Sequence, residues 1–274
     1  MTFENLGHSA LDYFPCRYGK SKILFRGPRK KMAGDFVAML GGTDTYGKYI
    51  ETPFPALVEK QLGVECVNFG CVNAGVDVFA NDLSIIDACD KARVTVIQVV
   101  GAHNMSNRFY AVHPRRNDRF VRASTLLKTV FREVDFTDFH FTKHLLTTLH
   151  DLSPERFKVV QDELQEAWVA RMKLLLDKIR SKTVLFWFAD HAPDQNAPNG
   201  LGHDPLFVND AMIEAVRPFV TEVVKVVPSA QARAQGTAGM LFPEMEEPAA
   251  EALMGPAAHA EAAEALAQTV HAML

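Results

Sequence analysis

Five short apolar runs, separated by helix-like segments, are the feature that most restricts the fold of this chain. The runs are residues 36–40, 66–69, 94–100, 183–189 and 223–227, and each is closed by Gly, Pro, Asn or Asp. They are continuously apolar rather than alternating, which is typical of strands buried on both faces of a sheet. The sequence therefore predicts an α/β protein with a doubly wound, five-stranded parallel sheet.

Helical patterns lie between the runs, at residues 55–61, 82–92, 153–179, 209–220 and 258–274. The pattern that begins at Ser153 is the clearest, because Ser153 suits an N-cap and Pro154 suits the first helical position. We interpret residues 34–274 as one domain, with an N-terminal extension at 1–33 and an insertion at 107–150. The role of the extension is not evident from its sequence.

Composition narrows the classes of protein to which the chain can belong. It has 274 residues, of which 48% are hydrophobic, so it can bury a full core. Its net charge of -4 argues against a general nucleic-acid-binding protein. No leader pattern or apolar run of about 18 residues is present, which predicts a cytoplasmic protein without a membrane span. The four cysteines lack CxxC spacing, so neither a zinc site nor a disulfide framework is indicated.

Polar residues follow four of the predicted strands. In doubly wound sheets, ligands bind outside the carboxyl ends of the strands. After the first strand come Thr43, Asp44 and Thr45, of which we expect the last two to contact substrate. The later loops contain residues 70–75, residues 101–107, and the pair Asp190 and His191.

The order and spacing of these loops resemble the SGNH (GDSL-like) hydrolase and acyltransferase superfamily. The resemblance covers residues 34–106 and 183–274. It implies an SGNH-like, flavodoxin-like arrangement of strands. It also implies a hydroxyl nucleophile after the first strand, oxyanion donors after the second and third, and a histidine base near the C-terminus.

The first and last blocks would supply the nucleophile and its base. Gly41-Gly42-Thr43 stands where the superfamily has Gly-Asp-Ser, so the resemblance places Thr43 at the nucleophile position. His259 corresponds to the base. The superfamily's Asp-x-x-His reads Pro256-Ala257-Ala258-His259 here, so the carboxylate that would orient the imidazole is missing. Asp190, a glutamate at 244, 246 or 247, or a backbone carbonyl would then orient His259.

The two middle blocks would supply the oxyanion donors. Residues 67–75 resemble the loop that lends a backbone N–H, with Gly70, Asn73 and Gly75 as candidate donors. The run Gly101-Ala102-His103-Asn104 resembles Gly-x-Asn-Asp. We expect Asn104 to donate its side-chain amide, with His103 as a competitor for that role.

The insertion is rich in arginine. Between residues 107 and 132 it has seven basic residues and one acid, Asp118. Guanidinium groups bind carboxylate and phosphate in bidentate fashion, so Arg108, Arg115 and Arg116 are candidates for a lid that recognises an anionic substrate. A solvated charged surface is the alternative interpretation.

These observations predict an ester hydrolase or O-acyltransferase that acts on an anionic or carbohydrate-type small molecule through Thr43 and His259, without a cofactor. The first alternative is a catalytically degenerate protein that binds such a ligand, with Thr43 and Thr45 serving as capping hydroxyls. The second is phosphoryl or sulfuryl transfer, which no GxxxxGK motif supports. Asp190, His191, His203 and Asp204 have the side chains of a metal site, but they come as two adjacent pairs, so we predict no metal.

Overall fold

The computed structural model describes residues 11–195 and 200–274. In chain order its strands are β1 (Phe36–Gly41), β2 (Glu65–Gly70), β3 (Val94–Gln98), β4 (Tyr110–His113), β5 (Arg116–Ala123), β6 (Lys182–Phe188) and β7 (Glu222–Val226). Its helices are α1 (Thr43–Tyr46), α2 (Phe54–Leu62), α3 (Val76–Ala80), α4 (Leu83–Lys91), α5 (Thr125–Val130), α6 (Thr142–Leu152), α7 (Pro154–Asp177), α8 (Asp210–Val216), α9 (Ala230–Ala234), α10 (Glu247–Glu251) and α11 (Pro256–His271).

Five strands form one parallel sheet in the order β2-β1-β3-β6-β7. This confirms the predicted α/β fold, and it is the strand order of flavodoxin-like doubly wound proteins. The order reverses between β1 and β3, where the connections leave in opposite directions. A crevice is expected at that point, outside the carboxyl ends of the two strands.

Both faces of the sheet are buried, which explains the continuous apolar runs. On β1, Phe36, Ala38 and Leu40 pack into one core, together with residues of α3, α4 and α7. The alternate residues Val37 and Met39 pack into a second core, formed with α2 and α11. A polar side chain on this strand would need a hydrogen-bond partner inside one of these cores.

Capping side chains fix several helix starts where the sequence predicts them. The Ser153 hydroxyl accepts from Arg156 N, and Pro154 is the first residue of α7. Asp82 caps α4 by accepting from Ser84 N and Ile85 N. Each cap satisfies backbone N–H groups that have no partner within the helix.

The insertion has secondary structure of its own. β4 and β5 pair as an antiparallel hairpin, and α5, a short 3₁₀ helix (Phe136–Asp138) and α6 follow. The N-terminal extension packs on the domain through Tyr18, Ile23 and Phe25, which lie in the first core. In the part of the chain that the structure describes, no helix has both the length and the apolar composition that a bilayer crossing requires.

Candidate active site

A cavity of about 700 Å³ lies at the carboxyl ends of the parallel strands. Six predicted site residues line it: Thr43, Asp44, Asn73, His103, Asn104 and Asp190. So do other polar side chains that sequence reasoning did not select for this site: Lys48, Gln98, Lys143, His203, Asp204, Arg233 and Glu251. The fold thus brings the loops after β1, β2, β3 and β6 together as the parallel topology predicts.

Thr43 is the first residue of α1, directly after the turn that ends β1. Its Oγ1 accepts a hydrogen bond of 3.0 Å from the backbone N–H of Asn73, and the same hydroxyl lies 3.4 Å from Asn73 Oδ1. Asn73 has a φ of 55°, a left-handed conformation that asparagine tolerates better than most residues. This conformation turns the loop after β2 toward the Thr43 hydroxyl.

Asn104 is buried beside this loop, and both ends of its side-chain amide are hydrogen-bonded. Its Nδ2 donates to the Asn73 carbonyl at 3.1 Å, and its Oδ1 accepts from the Thr142 hydroxyl at 2.6 Å. A primary amide has two N–H groups, so one N–H of Asn104 remains for a ligand. Thr43, Asn73 and Asn104 are therefore connected in one hydrogen-bonded chain.

The structure corrects the prediction for Gly70 and Gly75. Gly70 N donates to Asn68 Oδ1 at 2.8 Å, and Gly75 N donates to Asn117 Oδ1 at 3.2 Å. Because both N–H groups have side-chain acceptors, neither is free to stabilise an oxyanion. Gly75 has a steric role instead, since a Cβ there would lie 1.5 Å from the Asn104 carbonyl oxygen.

His259 is not paired with Thr43, which corrects the predicted nucleophile–base pair. Its ring is buried, and its Nδ1 accepts a hydrogen bond of 3.1 Å from Phe54 N. The ring stacks on Phe54 and meets Phe188 edge-on. Burial lowers the pKa of His259 to about 3, so the imidazole is neutral, and it is not among the residues that line the cavity.

Asp190 does not orient His259 either. Its Oδ1 lies 2.8 Å from Nδ1 of its neighbour His191, and its Oδ2 lies 4.0 Å from His203 Nδ1. Asp190 is exposed at the cavity, where it is a candidate ligand for substrate. Within residues 11–195 and 200–274, no three His, Cys, Asp or Glu side chains are grouped closely enough to hold a metal ion.

Gln98, the last residue of β3, organises the turn that carries Thr43. Its Oε1 accepts from the Thr45 hydroxyl at 2.6 Å and from Gly42 N at 3.1 Å, and its Nε2 donates to Asp44 Oδ2. Thr45 is thus fully buried and structural, which corrects its assignment to substrate binding. Asp44 does line the cavity, and burial raises the pKa of its carboxyl to about 6. A polar residue inside an otherwise apolar run was the sequence signal for Gln98.

The predicted arginine lid is not formed. Arg108 is bound to Glu163 of α7, and Arg115 and Arg116 are exposed at the turn between β4 and β5. None of the three lines the cavity.

The cations at the cavity come from elsewhere in the chain. They are Lys48, Lys143 and Arg233. Lys48 lies 3.3 Å from a Glu246 oxygen, and Lys143 lies 3.4 Å from Asp204 Oδ2.

Arg26 gives the N-terminal extension a role at this site. Its buried guanidinium donates to the carbonyls of Tyr46, Gly47 and Glu51, at the end of α1 and just beyond it. These carbonyls have no helical partner, so the arginine satisfies them and fixes the chain that leaves the Thr43 turn.

One protein family matches this chain over its whole length. The model of the family described as Domain of unknown function (DUF6473) matches residues 1–274. The chain belongs to the DUF6473 family. A comparison with curated proteins gave no match for this DUF6473 member.

Three solved structures are similar to the chain at low identity. BT4096, described as a gut microbial diltiazem-metabolizing enzyme, is 11% identical with a TM-score of 0.40; the match covers 80% of this chain but 40% of that one. LAE5, an alpha/beta hydrolase from the metagenome of Lake Arreo, Spain, is 14% identical with a TM-score of 0.41, covering 88% and 97%. The lipase Lip_vut3 from a goat rumen metagenome is 12% identical with a TM-score of 0.34, covering 82% and 100%. Similarity at these TM-scores does not indicate a function. The function of this DUF6473 protein is therefore inferred from the residues of its own cavity.

Proposed function

We propose that the protein is a carboxylic-ester hydrolase or O-acyltransferase of an SGNH-like type, with Thr43 as its nucleophile and Asn104 as an oxyanion donor. The observation that carries the proposal is the hydrogen-bonded chain from Thr43 through Asn73 to Asn104 at the edge of a large polar cavity. Acyl transfer requires a hydroxyl and an N–H donor that face the same carbonyl group.

The chemistry follows from these positions. Thr43 Oγ1 attacks the ester carbon and its proton passes to a base, while the free N–H of Asn104 donates to the carbonyl oxygen as that oxygen becomes negative. The alcohol then leaves with a proton. Water releases the acyl group in a hydrolase, and an acceptor hydroxyl takes it in a transferase.

The cavity lining favours an anionic or polyhydroxylated substrate. Asp190, Glu251 and His203 offer hydrogen-bonding groups for sugar hydroxyls. Arg233 donates to the backbone carbonyl of Asp190 at 3.0 Å, and within the described residues no carboxylate pairs with it. Its guanidinium therefore has free N–H groups that can bind a carboxylate or phosphate.

A second function is favoured by a specific observation at Thr43. Among the described residues, the Thr43 hydroxyl is hydrogen-bonded to Asn73 alone, and the predicted base His259 is occupied by Phe54. A protein that binds an anionic or glycan ligand without turnover would tolerate this arrangement, because binding requires no activated hydroxyl.

A screen of short acyl esters and acetyl donors distinguishes the two functions. Thr43→Val removes the hydroxyl and keeps the shape, so it should lower turnover on the order of 10³-fold or more. Thr43→Ser should remain active because it keeps the hydroxyl and removes the crowding methyl group. Thr129→Val is the matched control, since Thr129 is exposed on α5 and bonds only to the Thr125 carbonyl.

Two results would contradict the proposed enzymatic function. One is equal turnover by the wild type and Thr43→Val. The other is thermal stabilisation by phosphosugars with no ester cleavage by any variant, which would support the binding protein instead.

A further inference from the structure

His103 has a ring nitrogen whose hydrogen bonding is unsatisfied. The side chain is 7% exposed, and its Nδ1 is enclosed without a hydrogen-bond partner among the described residues. A buried ring nitrogen in that state destabilises the fold, so folding alone gives no reason for a histidine at this position. The rest of the ring lines the cavity.

Two oppositely charged side chains, Asp204 and Lys143, line the same cavity as this imidazole, and Asp118 also acts on its pKa. Asp204 follows β6 in the chain, Asp118 lies on β5, and Lys143 lies on α6. A backbone hydrogen bond from Ala102 N to Leu206 O, of 2.9 Å, holds the loop after β6 beside the loop that carries His103. Asp204 is ionised, because His103 and Lys143 lower its pKa. The carboxylate of Asp204 and the imidazole of His103, which come from different loops, thus line the same cavity as Thr43.

His103 and the Thr43 turn both approach one short segment, Val100–Gly101. A Cβ built on Gly42 would lie 3.4 Å from Val100 Cγ1, and a Cβ built on Gly101 would lie 2.6 Å from His103 Nδ1. Thr43 directly follows Gly42, and Thr43 and His103 line the same cavity. The absence of a side chain on Gly101 leaves room for the imidazole.

We propose that His103 is the base that accepts the Thr43 proton, and that Asp204 is the carboxylate whose negative charge stabilises the protonated ring; this rests on the proposed ester chemistry. The Thr43 Oγ1–carbon bond forms as the proton moves to the imidazole, and the same proton then leaves with the alcohol oxygen. Burial lowers the pKa of His103, so the ring is neutral and able to accept a proton at pH 7.

His203 is the other described histidine that lines the cavity. Its side chain is 49% exposed, and its Nδ1 lies 4.0 Å from Asp190. It lacks the enclosed, unpartnered nitrogen of His103. His203 is therefore the alternative candidate for the base, and the experiment compares it with His103.

Covalent labelling with an alkyl fluorophosphonate tests the proposal without knowledge of the natural substrate. The Thr43 oxygen forms a bond to phosphorus, fluoride leaves, and the proton goes to the base. The labelling rate is measured by intact mass from about pH 5 to about pH 8, a range in which histidine titrates. The same pH series is measured as kcat/KM on any ester that the protein turns over.

His103→Gln should slow labelling of Thr43 by about 100-fold or more, the range of general-base contributions. His259→Gln is the matched control: it also replaces a buried histidine, and it should label at the wild-type rate. His203→Gln changes a cavity residue proposed to contact substrate, and it should slow labelling far less than His103→Gln does. If His103→Gln labels like the wild type, or if His203→Gln alone abolishes labelling, the assignment is wrong.

Two cavity variants test the role of Asp204 separately from folding. Asp204 raises the pKa of His103 and Lys143 lowers it. A base must be deprotonated to act, so the acid limb of the pH profile should move down in Asp204→Asn and up in Lys143→Met. Limbs that do not move, or that move in the same direction, would overturn the electrostatic role of Asp204.

The same data distinguish this assignment from the ester chemistry on which it rests. A wild type that neither labels nor cleaves any ester overturns both. A wild type that labels at Thr43, with unchanged labelling in His103→Gln, overturns only the choice of base.

Discussion

The Thr142 hydroxyl donates a hydrogen bond of 2.6 Å to Asn104 Oδ1 in the buried wall of the cavity. Thr142 is the first residue of α6, within the insertion, whereas Asn104 follows β3 of the parallel sheet. The bond fixes which way the amide points, so Nδ2 must face Asn73 and the cavity. The insertion thus orients the side-chain amide of Asn104, the proposed oxyanion donor. The parallel sheet alone does not provide this contact.

Thr142→Val should lower kcat/KM by about tenfold while KM changes little, because a freed amide donates less well in the transition state than a fixed one. The unfolding free energy should fall by about 1 kcal/mol through the lost hydrogen bond. Ester kinetics and urea unfolding measure the two effects. Thr148→Val is the control, because Thr148 is half-buried on the same helix and, among the described residues, its hydroxyl bonds only to the His144 carbonyl. A loss of the same size in both variants would show that the effect belongs to the helix and not to Asn104.

Asn117 links the insertion to the loop after β2. It is 1% exposed, its Oδ1 accepts from Gly75 N and Val78 N, and its Nδ2 donates to the His113 carbonyl. Asn117→Ala leaves two buried N–H groups without an acceptor, so we expect a loss of about 2 kcal/mol or more in urea unfolding. The exposed Asn81→Ala removes one bond to the Asp77 carbonyl and should cost less than half as much. Equal losses would mean that Asn117 does not hold this loop.

His259 should make folding sensitive to acid. Its pKa is about 3 in the native state and about 6.5 when unfolded, so the unfolded chain binds more protons between these values. Stability therefore rises with pH across this window and is lost as pH falls from 6.5 toward 3. His259→Gln should reduce that loss in urea unfolding measured at about pH 7, 5 and 4. An unchanged slope would show that His259 is not held neutral.

The position of the cations predicts which arginines bind substrate. Arg233→Ala should raise KM for anionic esters by about tenfold and leave KM for neutral esters nearly unchanged, because its guanidinium lines the cavity. The double variant Arg115→Ala/Arg116→Ala should change neither value, since both side chains are exposed at a hairpin turn. The reverse result would restore the arginine lid that the sequence predicted.

The parallel sheet was predictable from sequence because each strand is buried on both faces. All five predicted strands agree with the observed ones to within two residues at each end, and the predicted N-cap at Ser153 is confirmed. The insertion was not predictable to the same degree. Its hairpin and α6 place Asn117 and Thr142 against the loops of the sheet, and such contacts between distant segments leave no periodic signal.

The sequence selected six of the residues that line the cavity, but His259, its predicted base, lies outside the cavity. A histidine near a helix start fits a catalytic role and a core role equally well. The distinguishing signal was helical spacing: Ala262, Ala263, Leu266 and Val270 lie three, four, seven and eleven residues after His259 and are all buried. His259 therefore lies on the buried apolar face of α11, where an imidazole fills space between Phe54 and Phe188.

The proposed mechanism requires Thr43 to carry an acyl group during turnover. Rapid quenching of the wild type with an acetyl donor that it consumes, followed by peptide mapping, measures this directly. We predict acetylation of the peptide that contains Thr43 in the wild type and none at that position in Thr43→Val. Turnover that proceeds at the wild-type rate in Thr43→Val, or an acetyl group found only on another residue, would contradict the account.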